Sequence, residues 1–141
     1  MESVQFFTSA TKCKGSYADR RVVYSFDGPV TETPENSTGV WNRRVKIDFA
    51  HNKTMKRYEA TVWSVAATVN ASGFSVEQFA LFSGTSAVIA TEPTERFSKN
   101  SFVQFISRAM DLIIDISNDE SNGNLAATLI REARSFAGAA V

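Results

Sequence analysis

The sequence predicts an α+β fold: an antiparallel β-sheet with an N-terminal hairpin and two C-terminal helices packed on one face. Three observations carry this. Apolar and polar residues alternate with a period of two through much of the first two thirds of the chain. The last third changes to helical spacing. Strands first and helices after is the order of folds in which helices gather on one side of an antiparallel sheet. At 141 residues, one domain covering 1–141 is expected, with strands over about 1–93 and two helices over 98–137.

The strands are expected at Val4–Ser9, Arg20–Asp27, Val40–Ala50 and Lys56–Ala67, with a further run from Phe74 to Glu92. Gly84 makes that last run either one bulged strand or two strands joined by a turn. The hairpin from Trp41 to Ala67 is the most regular stretch. Val45, Ile47 and Phe49 point one way and Arg44, Lys46 and Asp48 the other. In the second arm, Tyr58, Ala60 and Val62 oppose Arg57, Glu59 and Thr61, and the polar loop 51–55 joins the arms. Such a hairpin needs an apolar cover on one side and exposes a charged platform on the other. Loops are expected at 31–39 and 68–73, rich in Thr, Asn, Ser and Gly.

The first helix is expected from Ser98, a good N-cap, to about Ser117. Its polar residues Gln104, Arg108, Asp111 and Asp115 form one narrow stripe, and most of the remainder is Phe, Val, Ile, Leu, Met and Ala. A helix on a sheet needs an apolar face of only about 100°. This one therefore asks for cover from several directions, and the sequence predicts an obligate homodimer with interlocked helices. A second helix at about Asn122–Ala137 has its own stripe of Leu125, Leu129, Ile130, Ala133 and Phe136.

Fifteen Lys+Arg balance fifteen Asp+Glu, so a nucleic-acid site has to arise from the distribution of charge. One cysteine, Cys13, precludes an intrachain disulfide or a thiolate metal cluster, and one histidine, His51, precludes the usual His-based zinc site. No metal or cofactor is expected. No apolar run reaches the roughly 18 residues of a membrane span, and the opening residues lack the basic and apolar parts of a signal peptide, so a cytosolic site of synthesis is expected.

No catalytic constellation is legible, and no enzyme is expected. His51 falls in a hairpin loop without a Ser/Asp or Cys/His arrangement. Cys13 lies between two lysines that could lower its thiol pKa, but it also fits a small residue at a strand end. Asp111, Asp115, Asp119 and Glu120 lack the loop and glycine of a calcium site and read as an exposed acidic stripe. The triplets at Asn36, Asn52 and Asn70 match the glycosylation pattern by chance. The basic platform fits two readings. Arg44, Lys46 and Arg57 could reach successive phosphates, with Thr61 as a hydroxyl donor and Trp63 as a stacking surface. The same alternation also describes an ordinary wetted sheet face diluted by Asp48 and Glu59.

Two stretches resemble the coat proteins of the small single-stranded RNA bacteriophages, the leviviruses. One is the hairpin Val45-Lys-Ile-Asp-Phe through Lys56-Arg-Tyr-Glu-Ala-Thr-Val62; the other is Asn100-Ser101 through Ile106-Ser-Arg-Ala-Met-Asp-Leu-Ile113. Together with the order of elements, the resemblance covers about Val40 to Asn118, and Thr68–Ser75 falls where the family has its conformationally variable loop. It implies a virion protein that dimerises through one continuous sheet, clasps helices across the partner, and turns the opposite sheet face to genomic RNA inside an icosahedral shell. By position it implies RNA-facing residues Arg44, Lys46, Arg57, Glu59 and Thr61, with Thr85 and Ala87 on the following strand. That strand lacks the tyrosine and asparagine with which better-known members read an operator hairpin, so general packaging is implied. A different reading of the same residues is a small dimeric α+β ligand-binding or enzyme domain with an apolar pocket between sheet and helices.

Overall fold

The computed structural model describes residues 2–28, 42–69, 75–78 and 85–139. The elements are α1 (Glu2–Thr8), β1 (Lys12–Ser16), β2 (Arg21–Gly28), β3 (Asn42–Asn52), β4 (Arg57–Val69), β5 (Ser75–Gln78), β6 (Thr85–Pro93), α2 (Lys99–Asn118) and α3 (Leu125–Ala139). The strands form one antiparallel sheet in the order β1-β2-β3-β4-β5. β6 joins the same edge of β4 as β5 does, pairing with residues 57–64 while β5 pairs with 66–69. The run from Phe74 to Glu92 is thus two strands. Gly84, the loop 31–39, the triplets at Asn36 and Asn70 and most of the expected variable loop lie outside the described residues.

The α+β class, the antiparallel sheet and the two C-terminal helices are as the sequence predicts. The N-terminus differs. Residues 4–9, expected as a strand, belong mostly to helix α1, and the N-terminal hairpin is instead β1–β2, turning through 17–20. Strand alternation would send Phe6 and Phe7 to opposite sides, whereas a helical turn puts both on one face with Ser3. All three are buried. Phe6 stacks on Phe26 with ring centroids 4.5 Å apart, and Phe7 meets Tyr24 edge-on at 4.9 Å. Burial pushes the Tyr24 phenol up to about 12, with a smaller contribution from Cys13 beside it across the β1–β2 pair. In the β1–β2 hairpin Gly15 takes a φ of +88°, and a Cβ there would stand 2.1 Å from the Arg21 carbonyl oxygen.

The core lies between the sheet and the helices. Val45, Ile47, Phe49, Ala60 and Val62 have no exposed surface, and Phe102, Ile113 and Ile130 meet them from the helices with none either. The start of α2 is held twice. The Ser98 hydroxyl accepts the Ser101 amide at 3.1 Å, and the buried Tyr58 hydroxyl accepts the Ser98 amide at 3.2 Å and bonds the Ser101 hydroxyl at 2.5 Å. At the other end of the core, Phe136 of α3 lies so close to Gly28 that a Cβ there would come within 2.2 Å of its ring.

Much of the apolar circumference of α2 is covered from within the chain. Phe102, Phe105, Ile106, Ala109, Ile113 and Ile114 are buried, while Leu112 stays 41% exposed. The extra cover comes from α1 and α3. The Ser3 hydroxyl donates to Asp111 at 3.0 Å, and Arg134 of α3 donates to Glu2 at 3.2 Å and to the Ser117 hydroxyl at 2.6 Å. The polar stripe on α2 is therefore partly a seam between helices. Arg108 on the same stripe pairs with Glu92 of β6. Among the described residues, no helix is long and apolar enough to cross a membrane.

Candidate nucleic-acid interface

Residues directly opposite one another in an antiparallel sheet share a face, so the register defines the surface turned away from the helices. Lys12, Ser25, Lys46, Trp63 and Ser86 form one row across five strands. Lys14, Val23, Asp48, Thr61 and Val88 form the next, and Ser16, Arg21, Ala50, Glu59 and Thr91 a third. At a strand spacing of about 4.8 Å, Lys12 to Trp63 spans roughly 14 Å. Most of the β1, β2 and β3 members of these rows line a concavity of about 580 Å³ whose walls include five cations, Lys12, Lys14, Arg21, Arg44 and Lys46, and one carboxylate, Asp19.

The structure brings five of the six sequence-predicted residues onto this face, but in different states. Arg44 is 5% exposed and grips Asp27 with two bonds, Nε to Oδ1 at 2.5 Å and Nη2 to Oδ2 at 3.0 Å. Its charge is largely spent inside the sheet. Arg57 donates to Glu59 at 2.8 Å, and the same carboxylate oxygen accepts Asn52 at 3.1 Å, so Glu59 orients Arg57. Lys46 and Thr61 are half-buried in the first two rows.

Thr85 does not join them. It stands opposite Ser64, whose side of β4 is the buried one, and Ala87 stands opposite Val62 and packs against the core. The outward residues of this strand are Ser86 and Val88. Beyond them a bulge between the pairs at Ala60 and Thr61 changes the parity, so that Thr91 faces outward. Pairing decides the facing of such a strand, and one extra residue reverses it.

Three cations on this face were not singled out from the sequence: Lys12, Lys14 and Arg21. Their signal was present, since Lys12 and Lys14 are two apart in the period of a strand. The stretch Lys12-Cys-Lys-Gly-Ser16 is too poor in β-branched and aromatic residues to read as one. Arg21 bonds Asp48 through Nε at 3.2 Å and Nη2 at 2.7 Å. That hydrogen bond raises the guanidinium pKa above its already high ordinary value, against the opposing effect of burial, so the cation is permanent. Its side chain is still 59% exposed.

Cys13 is exposed and unbridged. Among the described residues, no three His, Cys, Asp or Glu side chains are grouped to hold a metal ion. Asp119, at the α2–α3 turn, is held below the usual carboxylate range by hydrogen bonds from the Ser121 hydroxyl and amide. Compared with models of known protein families, with curated proteins and with solved structures, the chain finds no significant match.

Proposed function

We propose that this chain is a coat subunit of a single-stranded RNA bacteriophage, which pairs with a second copy, assembles into an icosahedral shell and binds genomic RNA on the open sheet face. One observation carries the reading: a sheet covered by helices on one side offers, on the other, a concavity lined by five cations, two of which, Lys12 and Lys46, share a row with Trp63. Lysine and arginine at this spacing suit successive phosphates, and tryptophan offers a base a stacking face. Because Arg44 is only 5% exposed, the less buried lysines 12, 14 and 46 and the exposed Arg21 carry the larger share of the phosphate contact.

Pairing of two copies is supported by β6. Among the described residues no strand bonds to its outer edge, and a strand edge without such a neighbour is a template for a second chain. The exposed Leu112 lies one helical turn beyond Arg108, which reaches Glu92 on this strand, so an apolar side chain stands near the same edge.

Electron microscopy and the ultraviolet absorbance of the purified protein test the reading. Uniform shells with the absorbance of a nucleoprotein are expected, and Lys12→Ser, Lys14→Ser and Lys46→Ser together reduce the packaged RNA. If three phosphate contacts are lost, the slope of log affinity against log salt becomes shallower by about 2 for a single strand. Discrete protein without nucleic acid would overturn the reading and favour a ligand-binding domain.

A further inference from the structure

Three turns meet at one end of the sheet and surround a second concavity, of about 390 Å³, within the size range of small-ligand sites. The β1–β2 turn contributes Arg20, the β3–β4 loop Lys53 and Lys56, and the β6–α2 connection Arg96. The turns are fastened by their backbones. The His51 amide donates to the Arg20 carbonyl at 3.0 Å and the Thr94 amide to the Lys56 carbonyl at 2.9 Å. His51, Glu95 and Phe97 complete the lining, with the Arg20 guanidinium 4.7 Å from the centre of the Phe97 ring.

Two features set this cluster apart from the open face. Whereas Arg21, Arg44 and Arg57 each hold a carboxylate, none of Arg20, Lys53, Lys56 and Arg96 forms an ion pair among the described residues, and the one carboxylate in the lining is Glu95. Arg20 and Lys56 are also the two described non-glycine residues with positive φ, at 63° and 52°. Glycine or asparagine adopts that conformation at lower cost. Here both positions carry a cation aimed into one concavity, and such strain concentrates at sites where function needs the side chain.

We propose that this end concavity is a binding site for a phosphate group, either a free ion or one unit of an RNA backbone. Converging cations from separate turns, with no internal carboxylate to satisfy them all, make a cradle for a compact multivalent oxyanion. The acidic C-terminal end of α2 and the turn after it in a second copy, with Asp115, Asp119 and Glu120, are the competing occupant. Cations converging from three turns on one concavity suit a compact multivalent oxyanion better than carboxylates spread over a helix end. His51 reports on the site. Its pKa is lowered by burial and then by the positive charges of Arg20 and Lys53, with Lys56, Arg96 and Glu95 also around the concavity, so a bound phosphate must shift it upward.

The test follows the His51 ring resonances of the purified full chain through a pH titration, with inorganic phosphate or with an octamer of uridylate added. The expected result is an upward shift of the His51 midpoint that Lys56→Asn with Arg96→Ser weakens at least tenfold in ligand concentration. Asparagine keeps the left-handed backbone at position 56. Lys46→Ser, on the open face, leaves the effect of inorganic phosphate unchanged, so failure here is separable from failure of the coat reading. A shift with phosphate alone assigns a free-ion site; a shift at lower octamer than phosphate concentration assigns an RNA backbone unit. No shift with either probe in the unsubstituted chain overturns the proposal, as does an equal shift in the double variant. Self-association abolished by the double variant while phosphate leaves His51 unmoved would overturn it in favour of contact between copies.

Discussion

Arg44 and Asp27 stand directly opposite each other on β3 and β2 and share two hydrogen bonds of 2.5 and 3.0 Å. A guanidinium only 5% exposed depends on that carboxylate, because an uncompensated buried charge costs far more than the pair contributes. Asp27→Asn is therefore expected to destabilise the fold by about 2–3 kcal/mol, measured by urea denaturation. A change under about 0.5 kcal/mol would mean that Arg44 does not depend on Asp27 for its compensation.

Gly28 and Phe136 make a second sharp expectation. A methyl group at position 28 would sit 2.2 Å from the phenyl ring, so Gly28→Ala should cost about 1–3 kcal/mol through overpacking. Phe136→Leu shortens the opposing side chain and should recover part of the loss. In a double-mutant cycle the two changes are expected to couple, and simple additivity would refute the contact.

Tyr58 and Ser98 hold the N-terminus of α2 against the sheet through adjoining hydroxyls. Tyr58→Phe should cost about 1 kcal/mol, and Ser98→Ala about 1 kcal/mol through the lost cap. Both hydroxyls also meet that of Ser101, so the double variant should lose measurably less or more than the sum. Thermal melts of the four proteins decide it.

The lowered pKa of His51 gives a pH dependence with a definite sign. Between its ordinary value of 6.5 and the lower value in the fold, the unfolded chain binds a proton that the folded chain refuses. The stability linked to His51 is fully present above pH 6.5 and is lost as pH falls through the folded value. Urea midpoints measured from pH 8 to pH 5 should show this fall, and His51→Asn should reduce its slope. An unchanged slope in the variant would remove His51 from the account.

Alternation in the central hairpin was readable because it is local. Val45, Ile47 and Phe49 face the core and Lys46 the open surface, and a strand's period of two needs no knowledge of its neighbours. The Ser98 cap and the apolar face of α2 were readable for the same reason, through the helical period. Residues 4–9 misled because seven helical residues carry too little periodicity to separate from a short strand, and the stacking of Phe6 on Phe26 gives the helix its reason to form. The cover that α1 gives to α2 was unreadable for the same reason.

The sequence by itself determined the α+β class, the two faces of β3 and β4 and the two C-terminal helices, because each follows from spacing within a few residues. Tertiary structure decided which carboxylate neutralises Arg21 and Arg44, which way Thr85 faces after its strand pairs, and that Arg20, Lys53, Lys56 and Arg96 line one concavity. These depend on partners distant along the chain, and only pairing and packing bring such groups within the few ångströms over which charge and hydrogen bonding act.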